Sequence, residues 1–465
     1  MTAAVAPPPA NPSSPASPSS PANPSSPGLP EASEAPEASG ASEARSRWGL
    51  FAQRDFRLLW AGQTVSRLGS SVTTVALPLV AVLTLDAGPL AGGLLTSAIW
   101  LPWLLFGLPA GVWVGRMPRR AVMIGCNLGS AALFASVPVA GWFGVLTMAQ
   151  LLAVALLSGA CSVFFDAADQ AYLPELVAPE DLIEGNAKLA GSGSAAEVAG
   201  RGLAGLTVQL VGAAAGLLID AVSFLIAAGA LLRIRARPEP VVHQQAAMPG
   251  QVREGLSFLL RDPYLRAFLC FGAAANFALM GYQAILALFL VREAGIAPAW
   301  VGVLASAAAV GGVLGALAAR PLCRRFGTAR GVRIVLLAVV PFGLLMPLAG
   351  PGAGTALYVV GSVAVVAAVV LCNIVLGSFR QSYTPPELLT RVTAGSMFAV
   401  HATIPLGALT GGVLGAVIGL RATMWVMTGL LTLSGTLPLL SPLRTLRELP
   451  AAPRRPQAPH GSGRS

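Results

Sequence analysis

Several acidic residues of this sequence lie inside long apolar stretches, where an ionised carboxylate is costly. Glu197 precedes Arg201 by four residues, so both side chains share one helix face and can form an ion pair. Asp166 and Asp169 are three residues apart, and two neighbouring carboxylates disfavour simultaneous ionisation. Burying a charge in lipid costs about 2.5–3.5 kcal/mol on insertion scales. These acids are therefore candidates for binding and releasing a proton.

Each acidic candidate also has a structural alternative. Glu197 and Arg201 can simply neutralise each other in lipid. Asp166 and Asp169 can be hydrated, or can pair with a nearby arginine such as Arg67 or Arg116. The sequence leaves both interpretations open for each pair.

His401 also lies within an apolar stretch, and its charge changes near physiological pH. It is a candidate for relaying a proton, the alternative being a hydrogen-bonded structural histidine. The cysteines lack CxxC spacing and have no histidine nearby, so we expect small buried hydrophobes rather than disulfides or metal ligands. They are Cys126, Cys161, Cys270, Cys323 and Cys372.

The composition of the chain indicates which kind of secondary-structure element carries these residues. Hydrophobic residues make up 55% of the chain, charged residues 11%, and the mean hydropathy is +0.71. Soluble proteins carry about 25% charged residues, which indicates an integral membrane protein. Segments of about 18–25 apolar residues can cross a bilayer. The sequence contains about twelve of them: 57–85, 90–114, 121–143, 147–170, 189–210, 213–233, 264–290, 299–319, 331–349, 354–377, 392–417 and 421–441.

Their richness in glycine and alanine favours packed helices over barrel strands. Arginines cluster before the first segment and in every second connection, which by the positive-inside rule predicts a multi-pass plasma-membrane protein with both termini in the cytoplasm. The predicted divisions are a disordered tail at 1–50, a six-helix half at 51–234, a cytoplasmic central loop at 235–260, a second half at 261–445 and a tail at 446–465.

One polar phrase occurs twice between apolar segments. It reads "QAYLPELV" from Gln170 after the fourth segment and "QSYTPPELL" from Gln381 after the tenth. "RDFRLL" at Arg54 and "RDPYLRAF" at Arg261 likewise precede the first and seventh segments. Recurrences in register with the helix count predict two halves related by a parallel duplication, as in one class of secondary transporters.

This pattern resembles the major facilitator superfamily. The stretch "FFDAADQAYLPELV…LIEGNAKL", "VSRLGSSVTTVALPL" and "EGLSFLLRDPYLRA" are similar to its macrolide-efflux-like and enterobactin-exporter-like branch, over about residues 50–445. The resemblance implies an all-α fold of twelve transmembrane helices in which the first, fourth, seventh and tenth line a cavity. On that basis the candidates for contacting substrate are Arg67, Asn276, Tyr282, Gln283 and Asn373, the alternatives being structural pairing for Arg67 and interhelical hydrogen bonds for the others. Asp220 lies in the peripheral sixth segment, and we expect it to pack against a neighbouring helix.

The resemblance also implies a cytoplasmic gate in which the repeated phrases act as hinges. We expect Pro174 and the pair Pro385–Pro386 to stop a helix, and Glu175 and Glu387 to start the next one. The gate candidates are Gly111, Arg116, Arg119, Arg120, Tyr172, Pro174, Glu175, Tyr383, Glu387 and Arg391.

Two motifs depart from the family pattern. In "GVWVGRMPRR", Gly115 stands where the family has an aspartate that latches the halves, and in "AEVAGRGLAG", Arg201 replaces a proline while Gly200 and Gly205 are kept. These departures leave open an alternative, a non-transporting sensor or scaffold with the same fold.

The sequence contains no HExxH, GxSxG or Walker A motif, and Lys188 is its only lysine. We therefore expect no enzyme activity, cofactor, metal or nucleic-acid partner. The expected function is export of a small amphipathic molecule by alternating access, as a monomer in the lipid bilayer, with protons as the coupling ion. Uptake or lipid movement is a further alternative.

Overall fold

Backbone polar groups in a bilayer must be satisfied within their own segment, so long apolar runs fold as helices. The computed structural model describes residues 49–235 and 249–450, and this part of the chain contains helices and no strands. The predicted tails at 1–50 and 446–465 lie almost entirely outside the described residues.

Twelve helical spans account for most of the described chain. They are α1 (Arg54–Thr84), α2 (Pro89–Val114), α3 (Arg119–Trp142), α4 (Met148–Leu176), α5 (Leu182–Val211), α6 (Ala213–Arg233), α7 (Pro263–Leu288), α8 (Pro298–Phe326), α9 (Thr328–Ile334, continued by a π-turn and a 3-10 stretch to Leu348), α10 (Ala353–Tyr383), α11 (Pro386–Val417) and α12 (Leu420–Ser434).

Eleven of these spans are long and apolar enough to cross a membrane. The exception is α5, whose 30 residues include Glu184, Lys188, Glu197 and Arg201. Because this helix is long enough but too rich in charge, its place in the membrane depends on pairing those charges. Lys188 pairs with Glu184 at 2.6 Å, and Arg201 pairs with Glu197 at 2.5 Å.

The helix packing repeats between the first six and the last six spans. In the first set α1 packs against α5 and α6, α2 against α4, and α3 against α4 and α6. In the second set α7 packs against α11 and α12, α8 against α10, and α9 against α10 and α12. Every pair in one set therefore has its counterpart six helices later, as the predicted duplication requires.

The two halves contact each other through α2 with α11 and through α5 with α8. We call the side where α1 begins and α12 ends the termini side, and the side where α1 ends the opposite side. The contacts lie towards the opposite side, where α5 and α8 approach at Gly205 and Gly302. A Cβ at Gly302 would collide with the backbone at Gly205, so glycine permits this closeness.

A helix that the sequence did not predict occupies part of the central loop. It runs over Pro249–Arg261, and residues 236–248 lie outside the described residues. It packs against α11, where Arg391 forms an ion pair with Glu254 at 2.7 Å. The connecting helix thus belongs to the C-terminal half.

The first hinge differs from expectation. Pro174 lies inside α4, which continues to Leu176, so it does not stop the helix. It sits in the last turns and is exposed, so the carbonyl that loses its backbone donor lies near solvent. Glu175 therefore ends α4 rather than starting α5. The second hinge behaves as predicted, because α10 ends at Tyr383 and Pro386 begins α11.

Candidate functional site

A polar cavity lies among α1, α3, α4 and α6, within the N-terminal half. Its volume is about 240 Å³. Of the predicted site residues it contains Arg67 and Asp166. Its lining residues are Gln63, Ser66, Arg67 and Ser70 from α1, Cys126, Asn127 and Ser130 from α3, Cys161, Ser162, Phe165 and Asp166 from α4, and Phe224 from α6.

The acidic pair of α4 faces the polar side of α1. Asp169 accepts a hydrogen bond from the Gln63 amide. Asp166 and Asp169 both lie within electrostatic range of the Arg67 guanidinium. Within the described ranges neither carboxylate forms a direct ion pair, so Arg67 attracts both without being committed to one. This arrangement can bind a proton on either acid.

Two buried side chains in this cavity carry polar atoms that have no hydrogen-bond partner in the part of the chain that the structure describes. They are Oε1 of Gln63, an acceptor, and Nδ2 of Asn127, a donor. Asn127 is only 2% exposed, and Gln63 is 7% exposed. Because buried polar atoms are normally satisfied by a partner or by ordered water, the cavity is suited to water or to a polar ligand.

The cavity also brings two cysteines together. Cys126 and Cys161 both line it and lie within electrostatic range of each other, and both residues are half-buried. The prediction of small buried hydrophobes is wrong for this pair, because α3 and α4 turn both thiols into a polar space. The sequence carried no signal for this pair, since the two residues are 35 positions apart and uncharged.

Glu197 and Arg201 lie on α5 near its contact with α8, away from the cavity. Their side chains form the ion pair predicted from their spacing and remain 53% and 30% exposed. The neighbouring Val198 carbonyl accepts a hydrogen bond from Ser306 of α8 at 3.2 Å. This pair can therefore respond to relative movement of the two halves.

His401 lies where α11 meets α2. Its ring is 6.0 Å from the rings of both Trp100 and Trp103, stacked on the latter. Its Nδ1 lies 2.8 Å from the Met397 carbonyl oxygen. The histidine thus occupies an aromatic contact between the halves.

The remaining polar candidates of the C-terminal half do not converge on one space. Asn276 donates to the Val400 carbonyl at 3.1 Å and so ties α7 to α11. Tyr282 is buried in the apolar core, whereas Gln283 and Asn373 are exposed.

The gate candidates of the N-terminal half interact within that half. Arg119 and Glu175 form an ion pair between buried side chains, and Arg119 also reaches the Ala171 carbonyl at 3.3 Å. Arg120 donates to the Leu231 and Leu232 carbonyls, each at 2.9 Å, and so caps α6.

The other gate candidates of this half differ in exposure. Gly111, Arg116 and Pro174 are exposed. The hydroxyl of Tyr172 is buried, and it has no hydrogen-bond partner within the described part of the chain.

The C-terminal copy of the gate is connected differently. The Tyr383 hydroxyl donates to Asp262 at 2.7 Å, and Asp262 also caps α7 through the backbone N–H groups of Tyr264 and Leu265. Arg391 binds Glu254 of the connecting helix. Only the backbone of Glu387 is described, in the first turn of α11. These contacts, too, remain inside their own half.

The family model described as Major Facilitator Superfamily matches residues 59–402, most of the chain. The chain belongs to this superfamily.

Curated relatives of this major facilitator include an uncharacterized MFS-type transporter, y4rN, of Sinorhizobium fredii, 27% identical over 387 residues, which cover 82% of this chain and 94% of the relative. Macrolide efflux protein A of Streptococcus pyogenes is 24% identical over 388 residues, covering 82% and 93%. The crystal structure of the nucleoside transporter NupG aligns with a TM-score of 0.69 at 14% identity, covering 85% of this chain and all of that one. This major facilitator is therefore a membrane transporter with the superfamily's helical fold. Among its described residues, no group of three or more His, Cys, Asp or Glu side chains can hold a metal ion.

Proposed function

We propose that this protein exports a small amphipathic molecule across the plasma membrane by alternating access, in exchange for protons. The closeness to macrolide efflux protein A supports export of a drug-like molecule. We propose further that it acts as a monomer, with both termini in the cytoplasm.

The proposal rests on the positions of the contacts between the two halves. On the opposite side Asp86 after α1 pairs with Arg292 after α7 at 2.5 Å, and α5 packs on α8. On the termini side, the ion pairs Arg119–Glu175 and Arg391–Glu254 each stay within one half. A bundle whose halves meet at one end, and whose described ion pairs at the other end do not join the halves, matches one of the two states that alternating access requires.

Orientation follows from the arginines. Arg116, Arg119 and Arg120 all lie on the termini side, and the positive-inside rule assigns that side to the cytoplasm. The described conformation is then inward-facing, ready to take up a molecule from the cytoplasm or its inner leaflet.

Proton coupling is assigned to Asp166 and Asp169. When both are ionised they attract Arg67, and a proton on either acid weakens that attraction. A cationic substrate that binds these carboxylates favours their ionised form and so displaces the proton. Because substrate and proton compete for the same carboxylates, each outward movement of substrate is followed by inward movement of protons.

Erythromycin flux in proteoliposomes tests this proposal under an imposed proton gradient. We expect uphill transport that an uncoupler collapses, and that Asp169→Asn reduces at least tenfold. Glu180→Gln, at an exposed position between α4 and α5, is the matched control and should transport normally. Uphill flux that does not depend on the proton gradient would contradict proton coupling.

A drug-susceptibility panel decides whether Glu197 takes part in transport or only neutralises Arg201. Loss of resistance in Glu197→Gln cells at normal protein levels would give Glu197 an essential part in transport. An unchanged profile would leave it a neutralising partner of Arg201.

A further inference from the structure

A second buried carboxyl group lies deeper in the N-terminal half, between α1 and α6. Asp220 is fully buried, at 0% exposure. Its Oδ2 accepts a hydrogen bond from Thr73 at 2.6 Å, and its Oδ1 accepts from Ser70 at 3.3 Å and from Ser223 at 3.1 Å. Packing of α6 on α1, as expected from the sequence, thus creates a carboxyl group surrounded by hydroxyls.

No cation neutralises this carboxyl group within the described residues. The charged or titratable groups on the helices that pack against α6 are engaged elsewhere. Arg67 of α1 faces Asp166 and Asp169, Arg201 of α5 binds Glu197, and Cys126 of α3 contacts Cys161. An unpaired buried carboxylate is costly and tends to take up a proton instead.

Hydroxyl partners suit a group that changes its protonation state. A serine or threonine hydroxyl donates to a carboxylate and accepts from a carboxylic acid by rotating. An arginine could do only the former. The 2.6 Å between the Thr73 hydroxyl and Asp220 is typical of a direct charge-assisted hydrogen bond and leaves no space for a metal ion between the two oxygens.

One of these hydroxyls belongs to both sites. Ser70 lines the polar cavity that contains Asp166, and it also binds Asp220. Along α1 the residues Gln63, Ser66, Ser70 and Thr73 follow one helix face over about 15 Å. Asp169 is bound at the first of these residues and Asp220 at the last.

The space between Asp166 and Ser70 can hold water. A polar cavity of about 240 Å³ has room for several water molecules. The unpartnered atoms of Gln63 and Asn127 offer it one acceptor and one donor.

We propose that Asp220 is a second proton-binding site, which exchanges its proton with Asp166 through Ser70 and water in the cavity. The transfer takes the proton from the Asp166 carboxylic acid to the Asp220 carboxylate, leaving Asp166 ionised and Asp220 neutral. This inference rests on the proposed proton coupling. It adds Asp220 as a second site for the coupling proton, and this site lies nearer the opposite side than the acids of α4.

Infrared difference spectroscopy of the purified protein in lipid tests this site without needing a substrate. A pH jump should change the carbonyl-stretch band of a buried carboxylic acid. We expect this band in the wild type and in the double variant Asp166→Asn/Asp169→Asn, and its loss when Asp220→Asn is added to that double variant. Asparagine keeps an acceptor and a donor for the same hydroxyls, so this variant should fold, and an unchanged thermal midpoint would verify that.

Three outcomes would overturn the proposal. They are persistence of the band when Asp220→Asn is added to the double variant, absence of the band from the wild type across the accessible pH range, and abolition of the band by added Na⁺, which would assign the oxygen cluster to a metal ion. Ser70→Ala tests the route separately. It should keep the band and slow its appearance after the pH jump at least tenfold, and an unchanged rate would refute transfer through Ser70.

Erythromycin flux distinguishes failure of this inference from failure of the proposed function. If wild-type flux ignores the proton gradient, the proposed coupling fails. If wild-type flux is driven by the gradient and Asp220→Asn keeps that dependence, only the role of Asp220 fails. The expected result is loss of uphill transport in Asp220→Asn, with downhill erythromycin exchange retained within about threefold.

Discussion

In the N-terminal half, α4 carries Asp169 and Tyr172 three residues apart, and the corresponding residues of α10 in the C-terminal half are Arg380 and Tyr383. Asp169 accepts a hydrogen bond from Gln63, a residue that lines the polar cavity, whereas the Arg380 guanidinium donates to Ser396 at 3.2 Å. The two halves thus keep the tyrosine and invert the charge beside it.

The contrast extends through the membrane-spanning helices. No glutamate or aspartate occurs in residues 263–292, 294–386 or 388–447 of the C-terminal half. In the N-terminal half, α4, α5 and α6 contain Asp166, Asp169, Glu197 and Asp220. The helix packing is the same in both halves. Duplication has therefore preserved the scaffold, and the titratable acids have been concentrated in one copy. In the alternating-access cycle that we propose, the C-terminal half is mainly the body that moves against them.

The largest expected difference concerns the gate ion pairs. Arg119 and Glu175 have side chains 6% and 5% exposed, whereas those of Arg391 and Glu254 are 35% and 54% exposed. Glu175→Gln should lower the free energy of unfolding by about 3 kcal/mol, because it leaves a buried arginine without its counter-charge. Glu254→Gln should cost less than about 1 kcal/mol. Equal losses in denaturant titrations of the two variants would remove this difference between the halves.

The second-largest expected effect concerns the contact between the two halves. Gly302→Ala places a methyl group against the Gly205 backbone, and overpacking of this kind costs about 1–3 kcal/mol. The population should therefore shift towards the state open on the opposite side. Spin labels at Leu90→Cys and Trp300→Cys, in a background without the native cysteines, should move apart. Gly141→Ala, where an added methyl group meets nothing within 4 Å, is the control, and an unchanged label distance in Gly302→Ala would contradict the prediction.

The duplicated tyrosines give a matched pair of variants. Tyr383→Phe loses a hydrogen bond to the Asp262 carboxylate and should lower the free energy of unfolding by about 1.5 kcal/mol. Tyr172→Phe removes a buried hydroxyl that has no hydrogen-bond partner among the described residues, so it should be neutral or slightly stabilising. The same denaturant titration measures both, and a larger loss for Tyr172→Phe would reverse the assignment.

Thiol labelling compares how accessible the two interiors are. Cys126 and Cys161 line the polar cavity, whereas Cys372 on α10 is 3% exposed. N-ethylmaleimide should modify the first two at least tenfold faster, because the reaction requires access of reagent and water to the thiol. Peptide mass mapping measures each rate, and faster labelling of Cys372 would argue against a hydrated cavity in the N-terminal half.

The smallest effect concerns the start of α9. The Thr328 backbone N–H and hydroxyl donate to Glu448 at 3.1 and 3.0 Å, which holds the pKa of this carboxyl below its usual value. A lowered pKa in the folded state means that the stabilisation is present at neutral pH and is lost as the pH falls through that pKa. Glu448→Gln should therefore lower the thermal midpoint slightly at pH 7, and the difference from the wild type should shrink in acid. A difference that grows in acid would contradict this.

Much of the fold could be predicted because hydropathy and arginine placement are properties of the sequence itself. The first span was predicted at 57–85 and is found at Arg54–Thr84. Both repeated phrases were predicted to stop a helix, yet α4 continues through Pro174 to Leu176, whereas α10 ends at Tyr383. Spacing along the chain did not reveal this difference, because helix ends depend on contacts with neighbouring helices.

The candidate site was only partly predictable. Asp166 and Arg67 stood out because a charge in an apolar run is conspicuous. Asn127 and the Cys126–Cys161 pair carry no charge, and their convergence depends on the rotation of α3 against α4. Asp220 was expected to pack against a helix, but only the packing of α6 on α1 shows that its partners are hydroxyls rather than a cation.

The central claim is that the acids of the N-terminal half carry the coupling protons. Its most direct test is proton movement driven by erythromycin, recorded with a pH-sensitive dye inside proteoliposomes. We predict that the double variant Asp166→Asn/Asp169→Asn abolishes this signal, while His401→Gln, in the C-terminal half, leaves it at the wild-type level. Loss of the signal in His401→Gln together with its persistence in the double variant would contradict the account.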